Sequence, residues 1–227
     1  MRYPAFMLIA ILTSLFSQAG QEGIEYRFEE VRSKVVLVSP VETSRAVAGT
    51  VALGGDRVRT GWLGYAVIGV PLKAARFEIF GSSEVVLSPE SAGVILSIDR
   101  GRLSAVFDAL AGDEPRAIRT PGALLAVRGT RYGVEVHRDQ RAVLVVFEGA
   151  VEIISPLSAE PTVVRAGQIS EFGPRHAPQT RQMHPGTTHE AWRGRGQAAE
   201  PGAPEADRGS SKGHRPPGNS SSGRRPR

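Results

Sequence analysis

The chain has 227 residues, of which 41% are hydrophobic and 22% are charged, and it carries a formal net charge of +5. That length suffices for one domain of ordinary size with additional segments at its ends. The sequence contains no cysteine, which excludes a disulfide framework, a cysteine nucleophile and the bacterial lipoprotein route, in which a cysteine is acylated.

Residues 1–19 have the features of a secretory signal peptide. Arg2 gives a positive start, residues 5–16 form a short apolar run, and Ser17 and Ala19 supply the small residues of a cleavage site. The run is too short for a membrane anchor, because a spanning helix needs roughly 20 apolar residues. We therefore expect a periplasmic or secreted protein with no transmembrane segment after cleavage.

Residues 23–173 contain a series of short apolar or alternating runs, each ended by a turn signal rich in Gly, Pro or Ser. This pattern predicts an all-β domain. One run, residues 104–111, also fits two turns of helix, which is the second interpretation there. The predicted strands are 35–38, 47–53, 65–70, 76–80, 84–87, 94–98, 103–107, 116–119, 124–127, 132–137, 142–148, 151–154, 162–164 and 169–172.

Two glycines interrupt the most regular part of this pattern. Residues 120–154 read as alternating strands around a polar hairpin tip at 137–141, and Gly129 and Gly149 fall inside the apolar runs. A glycine within a strand marks a bulge, a bend or a close backbone approach. We expect a positive φ at Gly129 and a crowded bend there, at which a β-branched side chain would be destabilising.

The residues around Gly129 allow a structural and a functional interpretation. In the structural one, Thr130 satisfies a freed backbone group with its hydroxyl. Arg128 or Arg131 then pairs with a carboxylate on a neighbouring strand, such as Glu148 or Glu152. In the functional one, Arg128, Arg131 and Arg138 form a cationic patch for an acidic ligand or an acidic strand of a partner.

Residues 174–227 differ sharply in composition. Pro, Gly, Ser and Arg dominate, and the segment holds ten basic against four acidic residues, whereas the remaining chain holds 18 against 19. We predict a disordered tail whose removal leaves the melting temperature unchanged. Because the remaining chain is nearly neutral, no nucleic-acid partner is expected; the tail is instead a solvated linker, or it contacts anionic polymers or lipid headgroups of the envelope.

Several short motifs appear together in one order: G-D-x-V-x-T at 55–60, S-x-V-x-L at 83–87, G-x-L at 101–103, T-P-x-A at 120–123, V-R-G-T-R-Y-x-V at 127–134, V-F-E-G-x-V-E-I at 146–153 and A-G-Q at 166–168. Together they resemble the FecR domain of bacterial cell-surface signalling regulators, over roughly residues 23–173. The resemblance implies an all-β domain with a coiled, β-helix-like or β-solenoid-type winding, whereas strand pattern alone leaves a jelly-roll-like β-sandwich as the alternative. It also marks Arg128, Gly129, Thr130 and Gly149 as family motif residues with structural roles.

The resemblance implies a three-part regulator, with a cytoplasmic domain that sequesters a sigma factor, one membrane helix, and an exported part that receives a signal from an outer-membrane transporter. Too few residues precede residue 23 for the anti-sigma part, and a low-complexity tail stands where the transporter-contacting part should follow. We therefore expect an exported, non-enzymatic module that receives a signal or binds an envelope protein. Strand addition at an exposed edge is the expected mode.

Two other classes of function stay open from the sequence: a glycan- or peptidoglycan-binding module and a carbohydrate-active enzyme. A Ser/His/Asp site is disfavoured, because His137 is the one histidine within residues 23–173 and it lies at a hairpin tip. We expect no catalytic residues, no metal site and no cofactor. The carboxylates that a glycosidase would need are more simply ion-pair partners: Glu78, Glu84, Asp99, Glu135 and Glu148.

Overall fold

The structure is a computed structural model that describes residues 24–91, 93–109 and 116–195. Those residues form seventeen strands and one α-helix, which confirms the all-β prediction. The strands are β1 (Glu25–Arg32), β2 (Val35–Val38), β3 (Thr43–Arg45), β4 (Val51–Leu53), β5 (Arg57–Thr60), β6 (Tyr65–Val70), β7 (Ala75–Ile79), β8 (Glu84–Ser91), β9 (Val94–Phe107), β10 (Arg116–Arg119), β11 (Leu124–Val127), β12 (Arg131–Val136), β13 (Ala142–Glu148), β14 (Ala150–Ile154), β15 (Thr162–Arg165), β16 (Gln168–Gly173) and β17 (His176–Gln182), and the helix is α1 (His189–Arg195).

The strands pair in two ladders that share β9. Sheet A has the order β4-β1-β6-β7-β9-β12-β13-β16-β17. Sheet B has the order β3-β2-β5-β8-β9-β10-β11-β14-β15. The first half of β9 lies in sheet B and the second half in sheet A. All pairings are antiparallel except that of β9 with β10.

From β6 onward the chain passes repeatedly between the two sheets. The hairpin β6-β7 lies in sheet A, β8 and the start of β9 in sheet B, β10-β11 in sheet B, β12-β13 in sheet A, β14-β15 in sheet B and β16-β17 in sheet A. This is the coiled winding that the resemblance implied, and it builds two layers of sheet around one hydrophobic cluster.

Alternation along each strand sends one set of side chains into that cluster. In β12, Tyr132, Val134 and Val136 are buried in the core, while the intervening residues face outward. The Tyr132 ring stacks on Phe107 of the adjacent strand β9, with centroids 6.1 Å apart. Tyr26 of sheet A donates its hydroxyl to the carbonyl of Ser88 in sheet B at 3.0 Å, so a polar contact as well as apolar packing ties the layers together.

Several sequence predictions need correction. Strands β1, β3, β5 and β17 were not predicted, because their short or strongly charged sequences hide the alternation. The predicted strands 94–98 and 103–107 are one strand, β9. The helical interpretation of residues 104–111 is therefore wrong over 104–107, and residues 110–111 lie outside the described residues.

The predicted boundary at Gly173 is also wrong. β17 pairs with β16, and α1 follows with Trp192 only 2% exposed, so ordered structure continues to residue 195. Removal of everything after Gly173 would delete both elements and can no longer be expected to leave the melting temperature unchanged. Residues 196–227 of the predicted tail and the predicted signal peptide, 1–19, lie outside the described residues.

The predicted bend at Gly129 is present, but the crowded position is Gly149 rather than Gly129. Gly129 has the expected positive φ of +62°, and a Cβ there would meet nothing closer than Ala109 at 3.7 Å. Gly149 has a φ of +77°, and its Cβ would lie 2.6 Å from the carbonyl oxygen of Gly129 and 2.8 Å from Cγ2 of Thr130. The position that tolerates no side chain is therefore Gly149.

We expect Gly149→Ala to lower the free energy of unfolding by about 3 kcal/mol, because left-handed strain and a backbone collision act together. Gly167→Ala is the matched control, since Gly167 has a φ of +82° with nothing within 4 Å of its Cβ position. Left-handed strain alone should cost the control about 1–2 kcal/mol. Urea denaturation of both variants measures the difference, and equal losses would show that the close approach at Gly149 is relieved without cost.

Candidate functional site

The outer face of sheet A, which is the face turned away from the core, is only partly polar. Tyr65, Val67 and Phe80 form a second cluster there, separate from the core. The rings of Tyr65 and Phe80 lie 5.8 Å apart. Such an apolar cluster on the outside of a sheet must be shielded from water. Trp192 and Arg193 of α1 pack on this face and help to shield it.

Trp192 of α1 packs into a depression on this face, the aromatic seat, which is formed by Gly133, Arg102 and Phe147. The seat exists because β12 has a glycine at its centre: a Cβ on Gly133 would lie 2.3 Å from Nε1 of Trp192. The Arg102 guanidinium stacks 4.7 Å from the centroid of the indole ring, and the Phe147 ring lies at 6.5 Å. A cation over an aromatic ring and an edge-to-face ring contact both favour a tryptophan in this seat.

An ion pair holds Arg193, the residue of α1 that follows Trp192. Nε of Arg193 lies 2.7 Å from Oε2 of Glu78, whose side chain is 7% exposed. Arg76 lies 3.7 Å from the other oxygen of Glu78. Because a buried carboxylate is costly without a cation, Glu78 favours an arginine at this place. Arg102 in turn donates a hydrogen bond to the main-chain carbonyl of Trp192.

His189 anchors the start of the helix. Its Nε2 lies 2.9 Å from Oγ of Ser104, and its ring meets Phe147 edge to face at 5.1 Å. The hydroxyl of Thr188 accepts a hydrogen bond from the amide of Ala191 at 3.1 Å, in the manner of an N-cap. Burial lowers the pKa of His189, so its neutral form is preferred here. The charged groups that act on His189 are Glu78, Glu148, Arg131 and Arg193.

The motif residues predicted from the sequence lie next to this face but do not form one patch. Arg131 pairs with Glu148 at 3.3 Å, as expected for one of the two candidate arginines. Arg131 opens β12 and Arg138 follows its other end, a separation on the order of 20 Å along a strand. Arg128 is exposed in the turn before β12. The structure therefore does not bring the three arginines together.

The expected role of the Thr130 hydroxyl is not seen. Thr130 is buried, and its Oγ1 has no hydrogen-bond partner within the described part of the chain. Its main-chain carbonyl instead accepts a hydrogen bond from the amide of Phe107 at 2.9 Å, so Thr130 joins β9 to β12 through its backbone.

The strand carboxylates act as ion-pair partners. Besides Glu78, Glu84 lies 2.7 Å from Arg57 and 3.0 Å from Arg59. Asp99 lies 2.7 Å from Arg57. Among the described residues, no group of three or more His, Asp or Glu side chains could hold a metal ion.

A second concave surface lies on the outer face of sheet B. It is an open cleft of about 790 Å³ whose lining includes Arg119, Pro121, Leu124 and Ile154. The one carboxylate among the lining residues is Asp99, and none of them is aromatic. A sugar-binding cleft would need aromatic platforms, and a glycosidase would need a second carboxylate, so this cleft favours neither alternative function.

Part of the chain is similar to a known protein family. Residues 74–152 match the family model described as FecR protein. The FecR segment runs from just before β7 to β14 and supplies Glu78, Arg102, Gly133 and Phe147 of the outer face of sheet A. The FecR match supports a role in signalling or protein interaction.

Solved structures and curated proteins add little to the FecR match. Two crystal structures of a candidate anti-sigma factor from Parabacteroides distasonis ATCC 8503 are 14% and 13% identical to this chain, with TM-scores of 0.48 and 0.47. Each alignment covers 56% of this chain and 59% of the other, so this chain spans less than two thirds of their length. No curated protein gives a significant match. Within the described residues, no helix is long and apolar enough to cross a membrane.

The pH should control whether α1 stays docked. Because burial lowers the pKa of His189 from 6.5, the docked helix prefers neutral His189. Neutral His189 therefore stabilises the docked helix fully above pH 6.5, and this stabilisation is lost as the pH falls through the lower pKa of His189 in the folded protein. With Trp62→Phe removing the exposed indole, Trp192 fluorescence should shift to the red between pH 7.5 and pH 5.

The control for this titration is His189→Gln in the same Trp62→Phe background. Glutamine keeps a hydrogen-bonding group near Ser104 but cannot gain a proton, so its emission should not change with pH. A red shift that persists in the control would assign the transition to another group.

Proposed function

We propose that this protein is a non-enzymatic interaction module of the bacterial cell envelope and that it receives a partner protein on the outer face of sheet A. One observation carries the proposal: this face already holds a helix through an aromatic seat, a buried ion pair and hydrogen bonds. Buried aromatic and arginine anchors of this kind dominate binding energy in protein interfaces. Export rests on the signal peptide expected from residues 1–19.

Strand addition is the second candidate mode, and β17 is where it would occur. β17 is the last strand of sheet A and has seven residues, whereas the edge strands β3 and β4 have three each. Pro178 removes one main-chain donor from β17, and proline on an edge strand discourages pairing with another chain. We therefore favour docking on the face over pairing at the edge.

The basic residues beyond α1 have a separate proposed role. Residues 196–227 hold six Arg and Lys against three Asp and Glu. We propose that they add a weak contact with anionic polymers or lipid headgroups of the envelope, which salt would screen.

Site-specific crosslinking in the native host tests the docking surface. A photoreactive amino acid at Glu135, on the outer face of sheet A, should give a discrete crosslinked protein in the envelope fraction. The matched control is Glu152, an exposed residue on the outer face of sheet B, which should give none. Gln179 on β17 tests the edge.

The positions that crosslink distinguish docking on the face of sheet A from strand addition at β17. Crosslinks at Glu135 without Glu152 support docking on the face, and crosslinks at Gln179 alone support strand addition. Crosslinks at Glu152 alone, or recovery of the protein in the cytoplasmic fraction, would overturn the proposal.

A further inference from the structure

The chemistry of the seat also indicates which partner it fits, and this inference rests on the proposed function. We propose that the outer face of sheet A is a binding site for a short helix that presents an aromatic residue followed directly by arginine. In this structure α1 occupies the site within the same chain. A partner helix with the same chemistry binds by displacing α1.

The seat selects a large flat side chain. Gly133 leaves the sheet bare at that point, so the ring of Trp192 can lie against the backbone of β12. The Arg102 guanidinium lies 4.7 Å from the ring centroid of Trp192 and 5.0 Å from that of Phe80. Arg102 therefore connects the seat with the second cluster. An aliphatic side chain would fill less of this space and would lose the cation–π contact.

The site also selects a cation beside the aromatic. Glu78 is 5% exposed in the presence of α1, and its closest cation is Arg193 at 2.7 Å. Without α1, Arg76 at 3.7 Å would be the remaining partner of Glu78 among the described residues. An uncovered Glu78 would thus favour a ligand that returns an arginine to the same place.

α1 is suited to be displaced. It has seven residues, and a helix this short is not stable by itself in water. Trp192 is its one large apolar side chain, and Glu190, Ala191 and Gly194 are exposed. Gly194 further weakens the helix. Its docked state therefore depends on a few contacts with the face, all of which a competing helix can replace.

A labelled copy of α1 supplies the probe. A fluorescein-labelled peptide with the sequence of residues 185–197 is titrated with the full chain, and binding is followed by fluorescence anisotropy. Trp192→Ala empties the seat and should bind the peptide at least tenfold more tightly than the wild type. Gly194→Ala strengthens α1 and should bind it about fivefold more weakly than the wild type, the factor that corresponds to the helix propensity difference.

Controls place the peptide on the proposed site. Adding Gly133→Ala to Trp192→Ala fills the seat and should abolish binding, and so should an alanine in place of tryptophan in the peptide. Equal binding to the wild type and Trp192→Ala, no binding to Trp192→Ala, or no effect of Gly133→Ala would each overturn the inference. If Trp192→Ala does not fold, Arg193→Ala, which breaks the ion pair with Glu78, takes its place with the same criteria.

The peptide experiment is independent of the crosslinking experiment. If the peptide fails to bind while Glu135 crosslinks to an envelope protein, the helix chemistry is wrong and the proposed function stands. If the peptide binds while Glu135 gives no crosslink, the proposed function fails and α1 is only an internal cover.

Discussion

The passage of β9 from one sheet to the other is the constraint on which the rest of the structure depends. The crossing occurs near Gly101, which has a φ of +95°, and a Cβ there would lie 2.5 Å from Cα of Ser83. The hydroxyl of Ser83 accepts a hydrogen bond from the amide of Arg102 at 2.9 Å. This bend sets the register of the second half of β9, which turns Leu103 to the core and Ser104 to the outer face.

The outer face of sheet A therefore follows from the core. Along β9, β12 and β13 each inward residue fixes the direction of its neighbours, since successive side chains point to opposite faces. Once Tyr132 and Val134 are buried, Gly133 must face outward. Once Leu144 and Val146 are buried, Val145 and Phe147 must face outward as well. The site is thus fixed to rigid strands rather than to loops.

The sequence predicted the strands well where alternation is regular. The bounds of β2, β6, β10, β11 and β13 agree with those predicted. The site was missed because none of its parts is visible locally: Gly133 looks like any strand glycine, and Glu78 like any strand carboxylate. α1 was missed because one buried tryptophan in a segment rich in Gly, Pro and Arg gives no helical period. The one available signal for the helix was Thr188, a residue type that favours the N-cap position and that lies three residues before Ala191.

The site and its occupant also differ in their relation to the FecR family. Glu78, Arg102, Gly133 and Phe147 all lie within the matched residues 74–152, whereas α1 lies outside them. The face is built by the winding of the strands, so its position and the direction of its side chains are set by the packing of the core. α1 is tied to the domain by six residues after β17 and makes no contribution to that winding. Its sequence can therefore change, and with it the ease of displacement, while the fold and the receiving surface stay the same.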